Sequence, residues 1–311
     1  MSSSRDKITV VGAGNVGAAC AAWLAERDLG DIVLVDIPAT KEMPKGKALD
    51  LLQVGPISNF NTRLTGATSY DETASSDVCV ITAGVPRKPG MSREDLVAIN
   101  QGIVKEVTQK LAQQSPNAIL INVTNPLDTM TLVSYKASGF PKTRVMGQAG
   151  VLDSARMRAF IAQELNVAVE SVNAAVLGGH GDEMVPLARY STLAGVPVSH
   201  FIAADRLKAI MDRTRKGGGE LVSLLGTSAW FAPGAAAGFM VEAILKDKKI
   251  VVPCSAYLEG EYGLSGMCFG VPCKLGRNGI EQILEFPLNE DEKSQLKKSA
   301  DLVADTMKVL K

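Results

Sequence analysis

Short apolar strands alternating with stretches of helical spacing predict an α/β protein. The order of elements gives a doubly wound parallel sheet over residues 1–145 and an α+β half over 146–311. Three observations carry this reading. Residues 8–11 (Ile-Thr-Val-Val) form a β-branched run that leads straight into glycines. Residues 78–83 and 118–123 are apolar almost throughout, as expected of strands buried on both faces. Helical spacing fills the intervals, first over 18–29 and then over 93–114, where Ser115-Pro116 ends it. Residues 31–36 read as the second strand, so strand, glycine turn, helix and strand make one βαβ unit with a right-handed crossover.

The second half loses this regularity. It reads as a helix over 154–165, a strand over 172–177 and a long helix over 203–225 interrupted by Gly217-Gly218-Gly219. A strand at 250–252, a hairpin-like stretch at 258–263 and a charged helix from Asn289 follow. The boundary falls near residue 145, where the strand after Pro141 leads into Gly147. The three glycines suit either close helix packing or a hinge, and the Ala-rich face from Ala18 to Leu24 suits packing against a core or a partner.

Composition narrows the function classes. Apolar residues make up 46% and charged residues 21% of 311, which suits an ordered globular chain with room for two domains. Lys plus Arg and Asp plus Glu both number 33, so net charge is zero and no footprint for nucleic acid or an anionic membrane is expected. No apolar run reaches the length of a membrane span, and residues 1–7 enter the first strand without a signal-type core. The cysteines (20, 79, 254, 268 and 273) are odd in number and lack Cys-x-x-Cys spacing. No histidine lies near Cys268 and Cys273, so no metal is expected and reduced thiols in a cytoplasm are.

The chemistry concentrates in four places. Gly12-Ala13-Gly14-Asn15-Val16-Gly17 follows a strand and opens a helix. Glycines there let the chain turn tightly and approach a pyrophosphate, whose charge meets free N–H groups at the helix start. Asp36 lies 19 residues after Gly17, where a carboxylate accepts ribose hydroxyls and repels a 2′-phosphate, so NAD is favoured over NADP. The second place is the loop from Gly84 through Arg87 to Arg93, at the carboxyl end of a strand. Its prolines, glycines and two arginines suit either a closing lid that binds carboxylates or a solvated basic loop. The third is Asp153-Ser154-Ala155-Arg156, which on a helix brings Asp153 and Arg156 to one face, as a site pair or a surface ion pair. The fourth is Asn125-Pro126, an amide at the end of a strand.

His180, one of two histidines, sits in Gly178-Gly179-His180-Gly181-Asp182. Three glycines around one imidazole are costly unless something approaches the backbone closely. The ring either caps a turn or serves as an acid/base near neutral pH. His200 precedes a helix and reads as a capping or partly exposed residue.

Together these segments resemble the lactate/malate dehydrogenase superfamily, and within it the NAD-dependent malate dehydrogenases of the lactate-dehydrogenase-like branch. The likeness runs in order through Gly12 to Gly17, Asp36, Gly46-Lys47-Ala48-Leu49-Asp50-Leu51 and Arg87-Lys88-Pro89-Gly90-Met91-Ser92-Arg93. It continues through Asn125-Pro126-Leu127-Asp128, 147–153, 179–182 and Arg215-Lys216-Gly217-Gly218.

The resemblance implies a Rossmann-type nucleotide domain, a second substrate domain and a site in the cleft between them. It implies that His180 is the general acid/base and that Asp153 orients its ring. Arg156 would hold the carboxylate beside the reacting carbon, Arg93 would polarise the carbonyl and Asn125 would bond the substrate oxygen. Cofactor contacts are implied along Gly12, Gly14, Asn15, Val16 and Gly17, at Asp36, Asn100 and Asn125, and at the Val123 backbone. A cis peptide before Pro126 is usual in the family, as are homodimers and homotetramers.

Arg87 decides the substrate: the lactate branch usually carries glutamine there, and a guanidinium buried opposite a methyl group would be an unpaired charge. A dicarboxylate, malate or oxaloacetate, satisfies it. Ala229 is expected to line the same pocket. The rival readings are another 2-hydroxy acid dehydrogenase, a non-catalytic dinucleotide sensor, and a metal-dependent glycosidase with a similar nucleotide domain, for which no convincing ligand set is present.

Overall fold

The computed structural model describes residues 5–86 and 93–310, with Arg93 described in its backbone alone. Six strands pair in parallel: β1 (Lys7–Val11), β2 (Asp31–Val35), β3 (Leu64–Ala67), β4 (Val78–Ile81), β5 (Ile119–Asn122) and β6 (Val145–Gly147). Their spatial order is β3-β2-β1-β4-β5-β6, which puts a switch point beside β1, where ligands bind in open α/β sheets. Helices α1 (Asn15–Glu26), α2 (Met43–Ser58), α3 (Arg93–Gln114) and α4 (Leu127–Ser138) make the connections. Strands β4 and β5 are buried at every position, which is why they read as almost continuous apolar runs.

After α5 (Gly150–Leu165) come five two-residue strands: β7 (Val172–Asn173), β8 (Val176–Leu177), β9 (Val185–Pro186), β10 (Thr192–Leu193) and β11 (Val196–Pro197). The single strand expected over 172–177 is therefore two, because β7 pairs with β10 while β8 pairs with β9. Then follow α6 (Ala204–Leu225), α7 (Phe231–Leu245), β12 (Ile250–Glu259), β13 (Ser265–Gly276), β14 (Gly279–Ile283) and α8 (Glu290–Met307).

Strands β12, β13 and β14 extend the first sheet to nine strands, antiparallel, through the pair Ser255–Gly147 between β12 and β6. The hairpin-like stretch at 258–263 is the end of β12 and the turn of the antiparallel hairpin that β12 and β13 form. The Ala-rich face of α1 meets α7 of the same chain. A Cβ on Gly234 would lie 2.7 Å from Cys20 N, and one on Gly238 2.5 Å from the Trp23 ring. Glycine lets the two helices approach to backbone distance, so the two halves share a core.

Helix α6 runs unbroken through the three glycines. Each mid-helix glycine costs roughly 0.5–1 kcal/mol against alanine. Gly217 is buried and a Cβ there would lie 2.4 Å from Arg156 Cδ, so close packing rather than a hinge explains it. Nothing lies within 4 Å of a Cβ on Gly218 or Gly219. Helix α8 begins where Asn289 was expected to start it, with a capping box between Asn289 and Glu292 worth about 1 kcal/mol. All five cysteines are buried and free. Among the described residues, no helix is long and apolar enough to cross a membrane.

Candidate active site

The glycine turn sits between β1 and α1, and its conformation explains its residues. Gly12 adopts φ +99°, and a Cβ on Gly17 would lie 1.8 Å from Gly12 O, so neither position accepts a side chain. Gly14 is the N-cap of helix α1, which has no side-chain cap and no acidic residue in its first turn, and a Cβ on Gly14 would meet open space. Asn15 and Val16 are the first residues of α1. Uncapped N–H groups facing open space are the binding site a pyrophosphate needs.

Asp36, just past β2, accepts from Ala13 N at 2.7 Å through one oxygen and from Ile37 N at 2.7 Å through the other. Lys47 Nζ donates to Ala13 O at 2.6 Å. The carboxylate at the tip of β2 is thus pinned to the turn it serves. A dinucleotide with an unmodified ribose fits this cradle.

Asn100 and Val123 stand beside it. Asn100 is fully buried in α3; its Oδ1 accepts from Val85 N at 2.8 Å and its Nδ2 donates to Asn125 O at 2.7 Å. It thereby ties the loop after β4 to the loop after β5, a structural role that its place in the sequence does not announce. Val123, at the end of β5, donates its N–H to Ile81 O. The Asn125–Pro126 peptide is cis, and Asn125 is exposed at the wall of a cavity of about 520 Å³. That cavity is also lined by Val85, Pro86, Ser228, His180 and the inner face of α8.

His180 and Asp153 come together from two elements. Asp153 projects from the first turn of α5 and is 2% exposed, and its Oδ2 lies 2.9 Å from His180 Nδ1. A carboxylate can only accept, so Nδ1–H donates and Nε2 is left to exchange a proton with a ligand. Arg156, one turn along α5, donates to Asp153 Oδ1 at 3.3 Å and to Thr214 O at 3.2 Å. At 12% exposed against 2%, this pair is not a surface i,i+3 ion pair.

Burial alone would pull the His180 ring down, but Asp153 and, behind it, Asp128 outweigh that and hold its pKa above the ordinary histidine value. Two of the three glycines around His180 are explained by the backbone or by their neighbours: Gly178 adopts φ +92° and Gly179 is closely packed, whereas a Cβ on Gly181 would meet nothing within 4 Å. A Cβ on Gly179 would lie 2.4 Å from Val303 Cγ2 of α8, and Gly178 N donates to Gly270 O of β13. His200 is exposed in a one-turn 3-10 helix just before α6, as expected.

Arg87 lies outside the described residues, as does the side chain of Arg93, whose backbone opens α3. Sequence reasoning missed the anchors of the histidine loop. Ser299 Oγ accepts from Gly179 N at 3.0 Å and Asp128 Oδ2 accepts from His180 N at 2.9 Å. Ser299 stands 120 residues from Gly179, so no local pattern announces it.

A dinucleotide cradle after β1, together with a carboxylate-oriented histidine at a cavity wall and a neighbouring arginine, defines the class of nicotinamide-dependent oxidoreductases acting on a hydroxyl or carbonyl group. The chain belongs to the lactate/malate dehydrogenase family: residues 6–147 match the model of its NAD binding domain, and 150–311 that of its alpha/beta C-terminal domain. A malate dehydrogenase of Roseiflexus sp. (strain RS-1) is 58% identical over 308 residues, covering 99% of both chains. The malate dehydrogenase of Salinibacter ruber superposes with a TM-score of 0.94 at 52% identity, over 98% of this chain and 97% of that one. A lactate dehydrogenase of Cryptosporidium parvum, solved with lactic acid and nicotinamide adenine dinucleotide, matches with the same TM-score at 41% identity over 98% of each. The fold is thus common to enzymes of both substrates, and side chains must separate them.

Proposed function

We propose that the chain catalyses the reversible oxidation of (S)-malate to oxaloacetate with NAD, His180 serving as general acid/base. The observation that carries this is the His180–Asp153 hydrogen bond of 2.9 Å at the wall of the cavity, with Arg156 one helical turn away. Asp153 holds the ring so that Nε2 takes the hydroxyl proton of malate, and its charge stabilises the imidazolium that results. Arg156 binds the carboxylate beside the reacting carbon, and Asn125 bonds the substrate oxygen. Arg93 polarises the carbonyl in the reverse direction. NAD, when bound, accepts the hydride; Gly12, Gly14, Asn15, Val16 and Gly17 would hold its pyrophosphate and Asp36 its ribose. Asn100, Asn125 and the Val123 backbone complete the pocket.

Arg87 supports a dicarboxylate over lactate, because its charge needs a second carboxylate as partner. The names of the full-length relatives point the same way. We divide the chain into a nucleotide domain over 1–145 and a substrate domain over 146–311. Exposed apolar side chains on α2 (Leu49, Leu52, Ile57) and at the end of α6 and start of α7 (Val222, Leu224, Leu225, Phe231) support a homodimer or homotetramer. A cytoplasmic location suits five free thiols.

The test is kcat/KM for oxaloacetate and for pyruvate, each with NADH and NADPH. Oxaloacetate with NADH should lead by orders of magnitude; comparable rates with pyruvate would overturn the substrate assignment, and comparable rates with NADPH the role of Asp36.

A further inference from the structure

Asp128 is a buried carboxylate that the proposed chemistry leaves without a task. It lies in the first turn of α4, three residues after Asn125, and is 4% exposed. Burying a carboxylate costs several kcal/mol unless it is well bonded. Both its oxygens are engaged: Oδ2 accepts His180 N–H at 2.9 Å, and Oδ1 accepts the hydroxyl of the fully buried Ser255 at 2.7 Å. The N-terminal turn of a helix also favours a negative charge.

We propose that Asp128 is a positioning residue of the reaction, holding the main chain of His180 while Asp153 holds its ring, and facing the imidazolium with a second negative charge. The inference rests on His180 being the acid/base. His180 is then clamped from two sides by two carboxylates on two helices. Ser299 fixes the preceding residue, so the loop meets side chains from α4 and α8 at consecutive amides. Ser255 is also the residue of β12 that pairs with Gly147 of β6. The contact that joins the second half of the sheet to the first therefore reaches the histidine through one side chain.

Asp153 and Arg156 face His180 from α5, while Asp182 and Glu183 follow it and line the same cavity. Glu183 pairs with Lys298 of α8, and the Cys268 thiol of β13 lies near Asp128, its ionisation pushed well up by burial. Asp128 itself is held above the usual carboxylate range by burial, against which the Ser255 and His180 bonds work. Its negative charge in turn raises His180.

Asp128→Asn keeps the shape and an acceptor for His180 N–H while removing the charge. In the full-length enzyme it should lower kcat for oxaloacetate reduction by roughly 10–100-fold with NADH affinity within about twofold. The limb of kcat/KM for oxaloacetate against pH, which falls as imidazolium is lost, should move toward acid by about half a pH unit. Ser255→Ala removes the buried donor that favours the charged form of Asp128, and so should show the same pattern more weakly. It serves as the readout if the Asn variant does not fold. A rate within twofold of the parent, or a loss confined to thermal stability with the limb unmoved, overturns the inference. His180→Asn separates the two claims: retained turnover would remove the acid/base reading itself, whereas lost turnover beside an unmoved limb in Asp128→Asn removes the positioning role alone.

Discussion

Gly217→Ala is the substitution whose ordinary effect and local effect oppose each other most clearly. In the middle of a helix, alanine is worth roughly 0.5–1 kcal/mol over glycine. At Gly217 the new Cβ would lie 2.4 Å from Arg156 Cδ and 2.6 Å from its Nε, where ordinary contact is 3.4–4 Å. Arg156 must therefore move by about 1 Å. That displacement is cheap for the fold, because the atoms in the way belong to a long side chain held by bonds of only 3.3 and 3.2 Å. It is costly for catalysis, since misplacing a binding group by about 1 Å can cost on the order of 100-fold, or about 2.7 kcal/mol. Folding stability should thus stay within about 1 kcal/mol of the parent while kcat/KM for oxaloacetate falls roughly 100-fold. NADH affinity should be unchanged. Gly218→Ala, where the new Cβ meets nothing within 4 Å, should raise stability with kinetics intact. Steady-state kinetics, NADH fluorescence titration and thermal unfolding on both variants make the comparison. Unchanged kcat/KM in Gly217→Ala, or an equal loss in Gly218→Ala, would refute the packing argument.

The remaining predictions concern charge. Arg87→Gln should cost roughly 2–5 kcal/mol of oxaloacetate recognition while leaving pyruvate turnover no worse, measured as the ratio of the two kcat/KM values. Asp36→Ala removes a charged acceptor worth about 1.5–3 kcal/mol, so NADH should bind roughly 10–100-fold more weakly and the gap to NADPH should narrow, read by titration with both cofactors. With His180 raised above 6.5, oxaloacetate reduction, which needs the imidazolium, should persist through pH 6.5 and fall only at higher pH. Malate oxidation, which needs the neutral ring, should rise over the same range; a limb below pH 6.5 in either direction would contradict the two-carboxylate setting.

What was legible in the sequence was whatever the chain writes locally. Strands β1, β4 and β5 declared themselves because burial on both faces leaves mostly apolar residues, and α3 because Ser115-Pro116 ends it. A spacing of three is enough to put Asp153 and Arg156 on one face of a helix, and α5 does so. The short strand β3 and helix α2 went unread: Leu-Thr-Gly-Ala offers little β propensity, and α2 carries Pro56 and no clear apolar stripe. Helix α7 is apolar nearly all round because α1 and the sheet enclose it, so no amphipathic period marks it. Gly217 looked like part of an interruption because its explanation, Arg156, lies on another helix. Asp128 was visible as part of Asn125-Pro126-Leu127-Asp128, but nothing in that stretch names His180, 52 residues on, as its partner.

The same distinction bears on how the two halves cooperate. The family models meet between 147 and 150, and at that point the chain places Gly147 and Gly150. A Cβ on Gly147 would lie 2.3 Å from Thr131 Oγ1 and 2.9 Å from Ser255 Cβ; one on Gly150 would lie 2.4 Å from Pro253 Cβ. The junction is therefore a packed seam in which β12 lies against the end of β6, and the interlock of α1 with α7 closes it from another side. A seam this tight cannot slide by even a fraction of an ångström without moving Ser255, and Ser255 is one hydrogen bond from Asp128 and two from His180. His180 is thus positioned by the join itself, with Asp153 orienting its ring from just beyond it on α5. This is why the site can sit between two sequence segments and still be preorganised: its geometry is set by the contacts that make the two segments one body.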